Sequence, residues 1–324
     1  LAFLTFALMQ TMKLLSALQA LTLTVALLGG SAQAQTYTQK QTQAPATAQP
    51  ALPQVGFSII KTGKVSVAER LLVPDGSMTK KIDTNFSAFL IKHKNDYLLF
   101  DTGLGANIET QYARDMPYWA RLAFKFEQPV VPVRKQLDEA GFAPIQKVII
   151  SHGHWDHASG VPDFPEAEIF AAEDEMHSIQ HAESGAATAW PSQVATPGTR
   201  WSPLVLLPIA HKGYVQSLDL FNDGSVVLVA MPGHTEGSIG MFVTVDSGKC
   251  YFFIGDVAWK SAAMQAGAPK FWAASMVVDR NREQTLRSVE QVRDVSRKYP
   301  DLVVVPAHDA VVQDALGYFP AWIR

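Results

Sequence analysis

The 324-residue sequence has one cysteine, Cys250, and hardly any charge imbalance, with 27 Lys and Arg against 30 Asp and Glu and a formal net charge of −3. A single thiol excludes an internal disulfide framework, a zinc ribbon and any thiolate-rich metal cluster. Balanced charge leaves no basic footprint for phosphate contacts, so a nucleic-acid binder is excluded too. Long apolar runs are also scarce. Leu14 to Leu28 spans fifteen residues, short of the roughly 20 that cross a bilayer. Histidine is what the sequence has in quantity, nine in all, and their placement carries the functional reading.

Lys13 is the only charge before Lys40, and small residues at Ala32 and Ala34 follow the apolar run. That order predicts a secretory signal cleaved after Ala34 and a periplasmic or secreted protein. Met12-Lys13-Leu14-Leu15 is itself a well-formed signal start, so residues 1–11 read as an upstream extension and 1–34 as signal plus extension. Read from Leu1 the apolar run lengthens, and an uncleaved anchor is the competing reading. After cleavage no stable membrane association is expected. Residues 35–55 are mostly Gln, Thr, Ala and Pro with little to bury, a disordered linker. One folded domain is expected over 56–324, and a lone cysteine suits an oxidising compartment because it has no partner to mispair with.

Within that domain Phe57–Ile60, Phe86–Ile91, Tyr97–Phe100, Val148–Ile150, Ser225–Ala230, Ile239–Val245, Tyr251–Ile254 and Leu302–Val305 read as strands, with Asn95-Asp96 as a hairpin turn. Helices are expected at Val133–Ala140, Ala172–His181 and Gln284–Lys298, the last capped by Asn281 with Leu286, Val289 and Val292 on its packed face. Interleaved strands and helices indicate an α/β architecture. Three aromatic-rich stretches, 107–130, 183–204 and 258–277, read as loops that roof a pocket or bury themselves on a second copy in a homodimer; short core helices are the alternative.

Ser151-His152-Gly153-His154-Trp155-Asp156-His157 follows a buried strand. In extended backbone His152 and His154 project to one side and can share one metal ion, while Asp156 and His157 turn toward a second. Imidazole nitrogen and carboxylate oxygen suit a borderline dication such as Zn, with Mn, Fe or Co also served. His234, Asp256 and His308 each end a further strand, where α/β folds place functional side chains. His177 and His181, four apart on a helix, read as a solvated face.

The motif HxHxDH at 152–157, PGHT at 232–235, Gly255-Asp256, Ala307-His308 and the strand Leu98-Leu99-Phe100-Asp101-Thr102-Gly103 resemble the metallo-β-lactamase fold superfamily over about residues 56–315. The resemblance implies a four-layer αββα sandwich and a two-metal site. It places His152, His154 and His234 at one ion, Asp156, His157 and His308 at the other, and Asp256 between them. Asp101 would steady the metal loop, with Thr235 and Ser238 as supports beside His234. A bridging carboxylate with a seventh ligand is similar to the lactonase, phosphotriesterase and glyoxalase II branches. The twenty-two positions from His234 to Asp256 are similar to the spacing in N-acyl homoserine lactonases.

Two divalent ions sharing a bridging hydroxide imply hydrolysis, with Asp156 or Asp256 as the catalytic proton carrier. The expected substrate is a lactone or small hydrophobic ester, and Trp259, Trp119 and Phe271 are the expected pocket residues. Trp259 stands where lactonases of the resembled branch carry tyrosine, and an indole donates one hydrogen bond but neither accepts nor releases a proton. A phosphotriesterase or β-lactamase of the same fold is the enzymatic alternative, and a non-catalytic metal-binding sensor the other.

Overall fold

The computed structural model describes residues 54–324 apart from Pro74 and Pro269. The expected signal segment and all but the end of the expected linker lie outside the described residues. Strand β1 (Val55–Ala68) begins one residue before the expected domain start, because Val55 is already buried. Alternation then sorts its side chains: Phe57 and Ile59 enter one core and Ile60 the other.

β2 (Lys81–His93) and β3 (Asp96–Phe100) continue the sheet antiparallel, and β4 (Lys147–Ile149), β5 (Glu168–Ala172) and β6 (Arg200–Leu204) run parallel to β3, giving the order β1-β2-β3-β4-β5-β6. The β2–β3 turn falls on Lys94-Asn95, one residue before Asn95-Asp96, with Lys94 at φ 53. A second sheet has β7 (Ser217–Asp219), β8 (Val226–Ala230), β9 (Ile239–Thr244), β10 (Cys250–Phe253) and β11 (Val303–Val305) in the order β11-β10-β9-β8-β7, parallel only between β10 and β11. The helices are α1 (Ile108–Asp115), α2 (Val133–Glu139), α3 (Trp155–Ala158), α4 (Glu173–Gln180), α5 (Pro191–Val194), α6 (Ser261–Gln265), α7 (Trp272–Val278), α8 (Arg282–Lys298) and α9 (Ala310–Leu316).

Three apolar layers hold these together. Phe57, Phe89 and Phe100 of the first sheet meet Met241, Tyr251 and Phe253 of the second. The first sheet's outer face packs Leu90, Leu99 and Val148 on Val133, Leu137 and Ile179 of α2 and α4. The second sheet's outer face packs Val227, Val229 and Phe252 on Val289, Val292 and Val295 of α8. Each such side chain, fully buried, contributes about 1.5–3 kcal/mol. The result is the expected αββα sandwich.

Helix α8 starts as expected, with Asn281 Oδ1 accepting from Gln284 N at 3.0 Å. Leu286 is not on its packed face: it is 44% exposed, and Thr285, Ser288, Val289, Val292 and Val295 are buried instead. Small residues stand there because the 232–233 turn crosses the helix. Ser288 Oγ donates to Pro232 O at 2.8 Å, and a Cβ on Gly233, at φ 133, would lie 2.3 Å from Thr285 N. The aromatic stretches read as loops contain α1, α5, α6 and α7. Trp190 is fully buried and donates to Gly185 O at 2.7 Å, and Trp201 sits on β6, so the two tryptophans of the 183–204 stretch pack into the core instead of roofing a pocket.

Candidate metal centre

Strand direction assembles the site. β3 and β4 are parallel neighbours, so Asp101 and the 152–157 segment leave the first sheet side by side. β10 and β11 are parallel, and β8 runs the same way two strands over, so Asp256, His308 and His234 leave the second sheet at the matching edge. The two edges are joined where Ile239 N donates to Ser151 O at 3.0 Å. His154 is the extended residue before α3, and the single turn of α3 swings Asp156 and His157 away from His152 and His154.

All seven expected ligands meet. Donor atoms of His152, His154 and His234 form one trio, those of Asp156, His157 and His308 another, and His152, His157 and Asp256 a third between them, with the atoms in each lying within 4.8 Å of one another. Asp256 faces both sides: Oδ1 lies 3.2 Å from His157 Nε2 and 3.0 Å from His308 Nε2, while Oδ2 lies 3.5 Å from His234 Nε2. Asp156 Oδ2 is 3.3 Å from His308 Nε2.

The hydrogen-bond pattern fits cations here. Four rings have their Nδ1 engaged: His152 by Ser151 Oγ at 3.0 Å, His157 by Asp101 Oδ2 at 2.9 Å, His234 by Asp279 Oδ1 at 2.9 Å and His308 by Asn85 O at 2.7 Å. These partners assign the ring proton to Nδ1, which leaves each Nε2 a lone pair pointing inward. His152 Nε2 and His234 Nε2 then face one another at 3.2 Å, lone pair to lone pair. His157 Nε2 and Asp256 Oδ1 are buried without a hydrogen-bond partner. Buried acceptors facing acceptors are costly unless positive charge lies between them.

The ionisation directions agree. Burial and the neighbouring imidazoles push His152 and His154 well below the usual histidine range, and burial with nearby Lys270 lowers His234. At His157 burial pulls down, but Asp101, Asp256 and Asp156 outweigh it and raise the ring well above its usual value; Asp256 likewise outweighs burial at His308. Burial would raise Asp256, yet His308 and His157 hold it well below the carboxylate range, whereas burial raises Asp156. One half of the cluster rejects protons and the other attracts positive charge, and divalent cations satisfy both.

A supporting layer holds the ligands. Asp101, at φ 61, accepts from Ser151 N at 2.7 Å, Ser151 Oγ at 2.9 Å and the His157 ring. The following turn needs Gly103, at φ 58, because a Cβ there would lie 2.5 Å from Thr62 Oγ1. Sequence reasoning missed three members. Glu175 on α4 accepts from Gly153 N at 2.8 Å, Thr235 Oγ1 at 2.7 Å and Gly237 N at 3.1 Å, clamping the two histidine loops together. Asp279 holds His234 and is itself paired with buried Lys270 at 2.7 Å. Thr235 and Ser238 bond each other at 2.7 Å beside His234, as the sequence suggested.

His154, Asp156, His234, Asp256 and His308 line a cavity of about 340 Å³ whose other walls include Val67, Phe86, Phe124 and Val278. Trp119, Trp259 and Phe271 all line it, so the 107–130 and 258–277 stretches do wall the site. His177 and His181 are exposed. His93 stacks on Phe221 and pairs with Asp223, and Cys250 is a half-buried thiol pushed up by burial. None of these four positions joins the centre.

The profile of the Metallo-beta-lactamase superfamily matches residues 85–260. A Mycobacterium tuberculosis protein named "Probable metallo-hydrolase" is 26% identical over 239 residues, covering 68% of this chain and 73% of its own length. The N-acyl homoserine lactonase AttM of Agrobacterium fabrum is 25% identical over 228 residues, covering 68% of this chain and 80% of its own. A solved N-acyl homoserine lactone hydrolase, with the product N-hexanoyl-L-homoserine at its catalytic metal centre, shares the fold at a TM-score of 0.63 and 17% identity, over 83% of this chain and 98% of that one.

Proposed function

Because the chain belongs to the metallo-β-lactamase superfamily and is a metal-dependent hydrolase, we propose that it opens lactones of the N-acyl homoserine type or cleaves related hydrophobic esters. The observation that carries this is the meeting of seven His and Asp donors with a largely apolar chamber of about 340 Å³, a size that accepts small molecules. We assign His152, His154 and His234 to one cation, Asp156, His157 and His308 to the other, and Asp256 to both, with zinc as the ion that imidazole and carboxylate ligands favour. Such a pair of cations supplies Lewis acidity and an activated water at neutral pH.

The chain's own residues supply the rest. The aromatic and aliphatic walls take the acyl part and exclude bulk water from the scissile bond. Asp156 carries the proton to the leaving oxygen, because Asp256 Oδ2 is already engaged by the Trp259 indole at 2.8 Å. Trp259 therefore shapes the chamber and its N–H is not free for a substrate carbonyl. The same reading takes the Leu14–Leu28 run and Ala32-x-Ala34 as an export signal, which N-terminal sequencing of the exported protein checks.

The test is a panel of acyl homoserine lactones, γ-lactones, aryl esters, aryl phosphotriesters and a chromogenic cephalosporin, run on metal-analysed wild type and Asp256→Ala. Lactone and ester turnover that vanishes in the variant, with about two metal equivalents bound, is the expected result. Lactone turnover no faster than the β-lactam rate would overturn the ordering.

A further inference from the structure

A second cavity, of about 400 Å³, opens on the other side of the centre and is lined by Ser178, His181, Glu183, Thr188, Glu236 and Arg280 among others. It shares His154, His234, Val277 and Val278 with the apolar chamber, so the two meet over the ligands of one trio. A bond cleaved there has hydrocarbon on one side and hydrogen-bonding groups on the other. We propose that the polar chamber binds an extended, uncharged leaving portion of the substrate, one bearing amide or hydroxyl groups, while the apolar chamber holds the acyl part. This rests on the hydrolase reading above and narrows its substrate class.

The lining decides the chemistry of the group. Arg280 Nε lies 3.4 Å from Glu236 Oε1, so the two formal charges largely answer each other. His181 Nδ1 donates to His177 O at 2.9 Å, which fixes the ring at the C-terminal end of α4. Arg280 and Ser178 offer donors and Glu183 and Glu236 acceptors; Arg280 answers Glu236, Lys270 answers Asp279 and Glu175 is engaged by its three donors, which leaves Glu183, exposed to solvent, as the one acid in excess. A mixed lining satisfies amides and hydroxyls, which both donate and accept, better than an anionic or cationic group. Size decides the length. The polar chamber is comparable in size with its apolar neighbour, so it accommodates a group comparable with an acyl chain, whereas the leaving oxygen of a lactone stays tethered to the acyl fragment and fills little of it.

The experiment uses zinc-loaded enzyme and two readouts. Decyl 2-acetamidoethyl ether and decyl ethyl ether, which cannot be hydrolysed, are titrated calorimetrically into wild type, His181→Ala and Arg280→Ala. The acetamido ether should bind at least three- to tenfold more tightly, the range that one net hydrogen bond gives, and each variant should lose most of that advantage. In turnover, the KM for 2-acetamidoethyl decanoate relative to ethyl decanoate should rise by the same factor in both variants. Equal affinity of the two ethers for wild type overturns the polar chamber, whatever the turnover shows. A binding preference with no ester or lactone turnover overturns the hydrolase reading, and with it the assignment of this chamber to a leaving portion.

Discussion

The indole Nε1 of Trp259 donates to Oδ2 of Asp256 at 2.8 Å, so a wall of the apolar chamber also holds the carboxylate that stands between the two trios. Trp259→Phe keeps an aromatic side chain in the wall, though a smaller one, and removes the N–H. Partners of this kind are worth about 10–100-fold in metal affinity, and a chelator competition assay should show a loss in that range at unchanged fold by circular dichroism. Unchanged affinity would show that the indole N–H does not position Asp256.

Asp101 holds three donors at once, two from Ser151 and one from His157. Asp101→Asn preserves volume and tolerates the left-handed backbone at φ 61. Its amide group nonetheless turns two hydrogens toward groups that are themselves donating. The cost should be about 1–3 kcal/mol in urea unfolding of the metal-free protein, with metal affinity reduced about 10–100-fold. Loss of affinity without loss of stability would separate ring orientation from packing.

The ligands were legible because chemistry and position coincide in the chain. HxHxDH sits at the end of an apolar strand, and His234, Asp256 and His308 each close another. What supports them was not legible. Glu175 reads as one more acid on a polar helix, and only the tertiary fold brings Gly153 and Gly237 onto its carboxylate. Lys270 lies in the 258–277 stretch read as an aromatic loop and Asp279 just beyond it, and complete burial of the pair leaves no sequence pattern. β5 and β6 were missed because Glu168, Arg200 and Ser202 interrupt their apolar alternation; Ser202 Oγ donates to Glu168 across the pair, a cross-strand compensation that periodicity does not register.

Lys260 is 3% exposed and donates to Asp83 O at 2.6 Å and His308 O at 2.9 Å. Burial lowers its ammonium from 10.5 to about 8, with Asp309 and Asp83 opposing the shift only in part. A lysine whose folded-state pKa is depressed binds its proton more weakly in the folded state than in the unfolded one. Stability should therefore rise with pH between about 8 and 10.5, by on the order of 3 kcal/mol. Lys260→Met should lack that rise, so guanidinium titrations of both proteins at pH 7.5 and 10.5 should differ in the change between the two pH values. Parallel changes would place the titration elsewhere.

Lys270 and Asp279 form an ion pair at 2.7 Å with neither side chain exposed, and Asp279 also accepts from His234 Nδ1. Burial pushes the Asp279 carboxyl up, but the Lys270 ammonium and the His234 hydrogen bond outweigh it and hold the group well below the carboxylate range. A carboxylate depressed in this way stabilises the fold at pH values above its unfolded pKa near 4, and that contribution disappears as the pH falls through the folded value. Lys270→Met keeps most of the aliphatic volume and strands the carboxylate, which should cost about 3–5 kcal/mol at pH 7 in metal-free protein. At pH 3 the gap between variant and wild type should narrow, since protonation of Asp279 removes the charge that Lys270 was balancing. An equal gap at both pH values would mean that Lys270 acts through packing of its stem beside Trp259, where Nζ lies 5.7 Å from the ring centroid, and not through its charge.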